Sequence, residues 1–143
     1  MRIWDIHPKH LCRQHLLAEH RELHGLWNIL TKHKGKGGYS RHPETRRWVG
    51  KTLALFGRHK KLVREFTRRG YRQYSPLDKR FARGSGSQKV FLNTIAEQKE
   101  ILKKKACDCD FRDNSWDILP DLPKKRPKYF LFHILNLFSL SGF

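Results

Sequence analysis

The sequence predicts an all-α fold, a single compact domain of about three main helices with long connecting loops. Three observations predict it. Apolar residues recur at helical spacing along two long stretches. Proline and glycine punctuate the chain where helices start and stop. Thr94-Ile95-Ala96-Glu97 has the form of a capping box that opens a third helix. The chain of 143 residues has one-domain length. Residues 1–110 are expected to form the helical domain, and residues 111–143 a Pro-containing basic segment and an apolar tail, docked or disordered.

The first helix is expected from about Lys9 to Lys32, with Leu16, Leu23, Trp27 and Leu30 on one stripe. The basic glycine loop Lys34-Gly35-Lys36-Gly37-Gly38 ends it. The second should start near Pro43, a good first-turn residue, and stop before Gly70. Its stripe is Trp48, Leu55, Leu62 and Phe66, and its other faces carry Arg46, Arg47, Lys51, Arg58, Lys60, Lys61, Arg64 and Arg68. Turn signals fill Tyr71 to Leu92, where Lys89-Val90-Phe91-Leu92 is a candidate short extended piece. The third helix should run from the Thr94 cap to about Lys105. Prolines 120, 123 and 127 exclude a long helix beyond Cys107. The apolar run from Tyr129 to Phe143 is shorter than the roughly 20 residues a membrane span needs, so a docked or disordered end is expected rather than a membrane anchor.

Charge narrows the function. Lys and Arg number 31 against 13 Asp and Glu, a formal charge of +18. Such charge opposes compaction by self-repulsion, so a polyanionic partner is the economical explanation, nucleic acid first. Aromatic residues make up 12% of the chain, too many for a disordered polybasic tail. No apolar signal run follows Met1, and three cysteines cannot complete a disulfide framework. The cytosol is the expected compartment, with association to the nucleoid through DNA. Cys107 and Cys109 form a C-x-C pair with no second Cys or His pair at zinc-finger spacing, so no metal is expected. His20 and His24 stand four apart, a zinc-compatible spacing. The intervening glutamate lies two residues after His20 rather than directly after it, unlike the zinc-protease pattern.

On a helical wheel Gln14, His15, Arg21 and Glu22 form a polar patch bordering the first apolar stripe. That patch is either a solvated face with local ion pairing or a site in which a carboxylate is partly shielded among cations.

Arg2-Ile3 and then Gln14-His15-Leu16-Leu17-Ala18-Glu19-His20-Arg21-Glu22-Leu23, at an ungapped distance from the N-terminus, resemble the pyrimidine-dimer DNA glycosylase and abasic-site lyase family, typified by a phage ultraviolet-repair endonuclease. Gly38-Tyr39-Ser40-Arg41-His42-Pro43-Glu44-Thr45, Arg69-Gly70-Tyr71 and Ser75-Pro76-Leu77-Asp78 resemble its bacterial branch. The likeness covers residues 1–110. It implies a compact helical monomer without metal or cofactor. Such an enzyme cleaves the glycosidic bond of a damaged pyrimidine in double-stranded DNA and then breaks the strand by β-elimination at the abasic site. The resemblance assigns the nucleophile to the α-amine of Met1 and the acid–base or charge-stabilising group to Glu22. It puts Arg2, Gln14, His15 and Arg21 at DNA- or site-facing positions. The basic second helix, with Arg46, Arg47 and Lys51, is expected to hold phosphates. Two positions depart from the phage pattern. Arg2 should keep Met1 in place, and His24-Gly25 replace a proline-arginine pair, so one DNA-contacting arginine is absent.

The implied chemistry is sound. An α-amine is less basic than lysine by about two units, so more of it is neutral and can attack the anomeric carbon to form a Schiff base. A nearby carboxylate stabilises developing positive charge and shuttles protons. Reaching that carbon requires flipping a nucleotide, which costs less at a lesion with damaged stacking. A non-catalytic DNA-binding protein of the same fold, or a small RNA-binding protein, would carry the same charge. The first gives no reason for Arg2, Gln14, Arg21 and Glu22 at these offsets, and for the second no aromatic RNA-recognition motif is visible.

Overall fold

In a computed structural model, which describes residues 1–72 and 75–112, the chain folds into helices with no strand among the described residues. They are α1 (Arg13–Thr31), α2 (Pro43–Arg47), α3 (Thr52–Arg68) and α4 (Ile95–Lys103). α1 packs against α3. The expected stripes form the core: Leu16, Leu23 and Trp27 from α1 meet Leu55, Leu62 and Phe66 from α3. Leu30 is only partly buried at the edge of that cluster. The N-terminal arm, residues 1–12, adds Ile3, Trp4, Ile6 and Leu11, and α4 adds Leu102.

Local sequence explains most helix ends. A short 3-10 turn, Pro8–His10, precedes α1, so the helix itself starts at Arg13 rather than near Lys9. At α2, Pro43 occupies the first turn and His42 Nδ1 accepts from the backbone N–H of Glu44 at 3.1 Å. At α4 the capping box is complete, with Thr94 Oγ1 accepting from Glu97 N and Glu97 Oε2 accepting from Thr94 N. The helix ends at Lys103, slightly short of the expected Lys105.

The expected single second helix is two. Gly50 takes φ +72°, a left-handed conformation that breaks the helical path between α2 and α3. The first turn of α3 then needs acceptors for its unpaired N–H groups. The loop at Gly84 supplies them: Leu53 N donates to Arg83 O at 2.9 Å and Ala54 N to Ser85 O at 3.1 Å. Residues 89–92 are exposed and form no strand. The apolar tail lies outside the described residues. No helix among the described residues is long and apolar enough to cross a membrane.

Candidate functional site

The N-terminal arm is held by three arginines spaced eleven residues apart, Arg47, Arg58 and Arg69, each anchored by a carboxylate. Arg47 donates to Glu44 Oε1 at 2.7 Å, Asp5 Oδ1 at 3.0 Å and the Ile3 carbonyl at 2.7 Å. Arg58 makes a two-pronged pair with Glu19, at 2.7 and 2.9 Å, and donates to the Ile6 carbonyl at 2.8 Å. Arg69 pairs with Glu65 at 2.6 Å and donates to the Leu11 carbonyl at 2.7 Å. On the other side, Gln98 of α4 accepts from Asp5 N and donates to Asp5 Oδ2, both at 2.9 Å. The carbonyls of Ile3, Ile6 and Leu11, which lie outside the 3-10 turn, thus find donors. Burial raises the Glu19 carboxyl above its ordinary value, against the pull of the Arg58 guanidinium.

This clamp sets a register. Leu11, Ile6 and Ile3 meet Arg69, Arg58 and Arg47 in turn, so the arm runs back along α3 toward α2. α1 climbs in the same direction, because Glu19 meets Arg58 and Trp27 meets Phe56. The Trp4 backbone hydrogen-bonds Glu19. Three residues beyond Trp4, Met1 packs on the core edge with its sulfur 3.9 Å from Thr45 Oγ1 of α2. One turn beyond Glu19, Glu22 is half-buried and has no hydrogen-bond or ion-pair partner among the described residues.

The other expected site residues divide. Arg2 lies with its guanidinium 4.9 Å from the Trp4 ring centroid and donates to Asn93 Oδ1 at 3.0 Å. His15 meets the edge of the same Trp4 at 6.2 Å. Trp4 therefore brings Arg2 and His15 to one spot. Gln14, Arg21 and Arg46 are exposed, and Lys51 is half-buried with its ammonium on Gln88 at 2.9 Å. Arg47 is not on the surface. It is 5% exposed and its donors are spent on Glu44, Asp5, Ile3 and Val90, so a phosphate contact is excluded by burial. Arg58, one of the basic-face residues, is buried for the same reason.

Two clusters of ligand-type side chains appear, of which sequence spacing showed only the His20–His24 and Cys107–Cys109 pairs. His20 and His24 of α1 and His59 of α3 bring their Nε2 atoms to 3.2 Å from one another in all three pairs. Burial holds His20 and His59 at about 4, so these rings are neutral. Cys12, His15, Cys107 and Cys109 bring their ligand atoms within 4.8 Å of one another. The C-x-C pair therefore does have partners, at the opposite end of the sequence.

Residues 1–79 match the family model described as pyrimidine dimer DNA glycosylase. The chain belongs to that family. No curated protein and no solved structure matches it. The matched span includes the arm, α1, α2 and α3, and so covers all three arginine clamps. Pyrimidine dimer DNA glycosylases act on DNA, which accounts for a charge of +18 on a chain of this size. Within the matched span His24 joins the three-histidine cluster.

Proposed function

We propose that this glycosylase removes a damaged pyrimidine, a dimer or a related lesion, from double-stranded DNA and then cleaves the strand by β-elimination. The α-amine of Met1 attacks the anomeric carbon, the glycosidic bond breaks, and the base departs with its bonding electrons. The C1′–O4′ bond then opens, O4′ takes a proton, and the amine nitrogen becomes the Schiff base. This acidifies the sugar C2′ proton, and loss of that proton expels the 3′ phosphate. Glu22 balances the cationic intermediate and carries the proton. Arg2, Gln14 and Arg21 face the lesion, while Arg46 and Lys51 hold the phosphate backbone.

The observation that carries this reading is the register of the arm. Its backbone is pinned at Ile3 and Ile6 and runs toward the α1 turn that bears Glu22, which has no partner among the described residues. Carboxylates elsewhere in the core are committed: Glu19, Glu44 and Glu65 each answer an arginine. Glu22 is left available for chemistry.

The test is borohydride reduction of the protein on a duplex with one abasic site, followed by peptide mapping. An adduct on the Met1 amine is expected. An adduct on a lysine would keep the lyase and overturn the nucleophile. Tight, salt-sensitive binding without any adduct would favour a non-catalytic DNA-binding protein of the same fold.

A further inference from the structure

We propose that His20, His24 and His59 form a site for a divalent transition metal, zinc by its geometry. Nothing in the glycosylase chemistry above uses these residues. The three Nε2 atoms stand at the corners of a triangle with 3.2 Å sides. A metal about 2.05 Å from each nitrogen would sit about 0.9 Å above that plane, close to the tetrahedral arrangement zinc prefers. Without a cation the arrangement is hard to explain. A neutral imidazole has a single N–H, so three nitrogens packed in mutual contact set lone pair against lone pair.

The surroundings support the set as a ligand cage. His20 and His24 are one turn apart on α1, and His59 faces them from the rigid, packed α3. Backbone hydrogen bonds to Ser75 orient both His24 and His59, as outer partners orient metal-bound imidazoles. The Phe66 ring meets His20 at 5.0 Å. Three protein nitrogens leave the fourth position open to water or an anionic oxygen. His59 also lines a cleft of about 310 Å³.

A second, independent cluster carries a separate proposal: Cys12, His15, Cys107 and Cys109 form a structural zinc site. All three cysteines of the chain converge there with one histidine, a complete four-ligand set. Cys12 Sγ and Cys109 Sγ lie 3.1 and 3.4 Å from His15 Nδ1, near the separation of two ligands on one zinc. On binding, each thiol gives its proton to solvent and the thiolate takes its place. The bond would staple the segment after α4 to the start of α1, beside the Trp4 spot where Arg2 stands.

The test is the zinc content of the whole untagged chain after loading with zinc and exhaustive dialysis. Two equivalents are expected. His59→Gln and His24→Gln should each drop to one equivalent with unchanged helical circular dichroism, and Cys109→Ser should drop to the other one. In cobalt-loaded protein, thiolate charge-transfer absorption should persist in His59→Gln and vanish in Cys109→Ser. One equivalent in the wild type, kept by His59→Gln, would overturn the histidine site. One equivalent kept by Cys109→Ser would overturn the cysteine site, and no bound zinc would overturn both. None of these outcomes touches the assignment of Met1 or Glu22, which borohydride trapping decides.

Discussion

Arg47 donates to the carbonyl oxygen of Ile3 across 2.7 Å, so a side chain of α2 holds a backbone 44 residues earlier. The same guanidinium reaches Glu44 and Asp5 and lies 4.8 Å from the Trp48 ring. Removing it leaves two shielded carboxylates without their cation. Arg47→Met should destabilise the protein by about 3–5 kcal/mol, read by urea unfolding. A loss below about 1 kcal/mol would show that the arm is held by its apolar residues alone.

Its neighbour behaves oppositely. Arg46 is exposed on the outer side of α2. Arg46→Ala should leave stability unchanged, weaken duplex binding evenly across sequences, and reduce the slope of log affinity against log salt by about one. Anisotropy titrations at several salt concentrations give the slope, and an unaltered slope would remove Arg46 from the phosphate contacts.

Glu22 can be separated from binding because it carries no structural bond among the described residues. Glu22→Gln should slow strand cleavage by about 10²–10⁴-fold, the usual scale of acid–base assistance. Affinity for the same duplex should hold or rise, because a negative charge facing phosphate has gone. Cleavage at the wild-type rate would reassign the acid–base role.

Two glycines two residues apart provide a matched pair. A Cβ on Gly84 would stand 2.0 Å from the Gly50 carbonyl oxygen, and Gly84 has φ +77°. A Cβ on Gly86 would meet nothing nearer than Leu53 Cδ2 at 3.5 Å. Gly84→Ala should cost about 2 kcal/mol or more, roughly 4–8 °C in Tm, by separating the loop from the start of α3. Gly86→Ala should stay within about 0.5 kcal/mol of wild type. Calorimetric scans of the two variants decide it.

Glu65 links stability to acid. Burial pushes its carboxyl up, but hydrogen bonds from Arg68 and Arg69 outweigh that and hold it below its ordinary value. A depressed folded-state pKa stabilises above the unfolded value, near pH 4.3, and that stabilisation fades as pH falls through the folded value. The stability gap between wild type and Glu65→Gln should therefore be widest near neutrality and shrink below about pH 4. A gap independent of pH would mean that the Glu65 charge contributes nothing.

Much of this was legible in the residues. The stripes Leu16-Leu23-Trp27 and Leu55-Leu62-Phe66 predicted two helices and the faces they bury. Thr94 and Glu97 predicted the start of α4 correctly because a capping box is closed within four residues. Periodicity hides the break at Gly50, since the apolar spacing continues through it from Trp48 to Leu55. The signal that could have found it is the glycine itself, seven residues beyond Pro43. Arg47 and Arg46 are adjacent and identical in type. Their opposite fates depend on Asp5 and Ile3, which local pattern does not place.

Sequence by itself determined the helical class, the basic surface and the family, because propensity, charge and motif spacing are properties of short stretches. Tertiary structure alone decided which arginines became buried clamps, where the arm carries Met1, and that His20 and His24 meet His59. It also decided that Cys12 and His15 meet Cys107 and Cys109. A side chain's partners are set by packing between segments far apart in the chain, and burial then makes an unanswered charge too costly to keep.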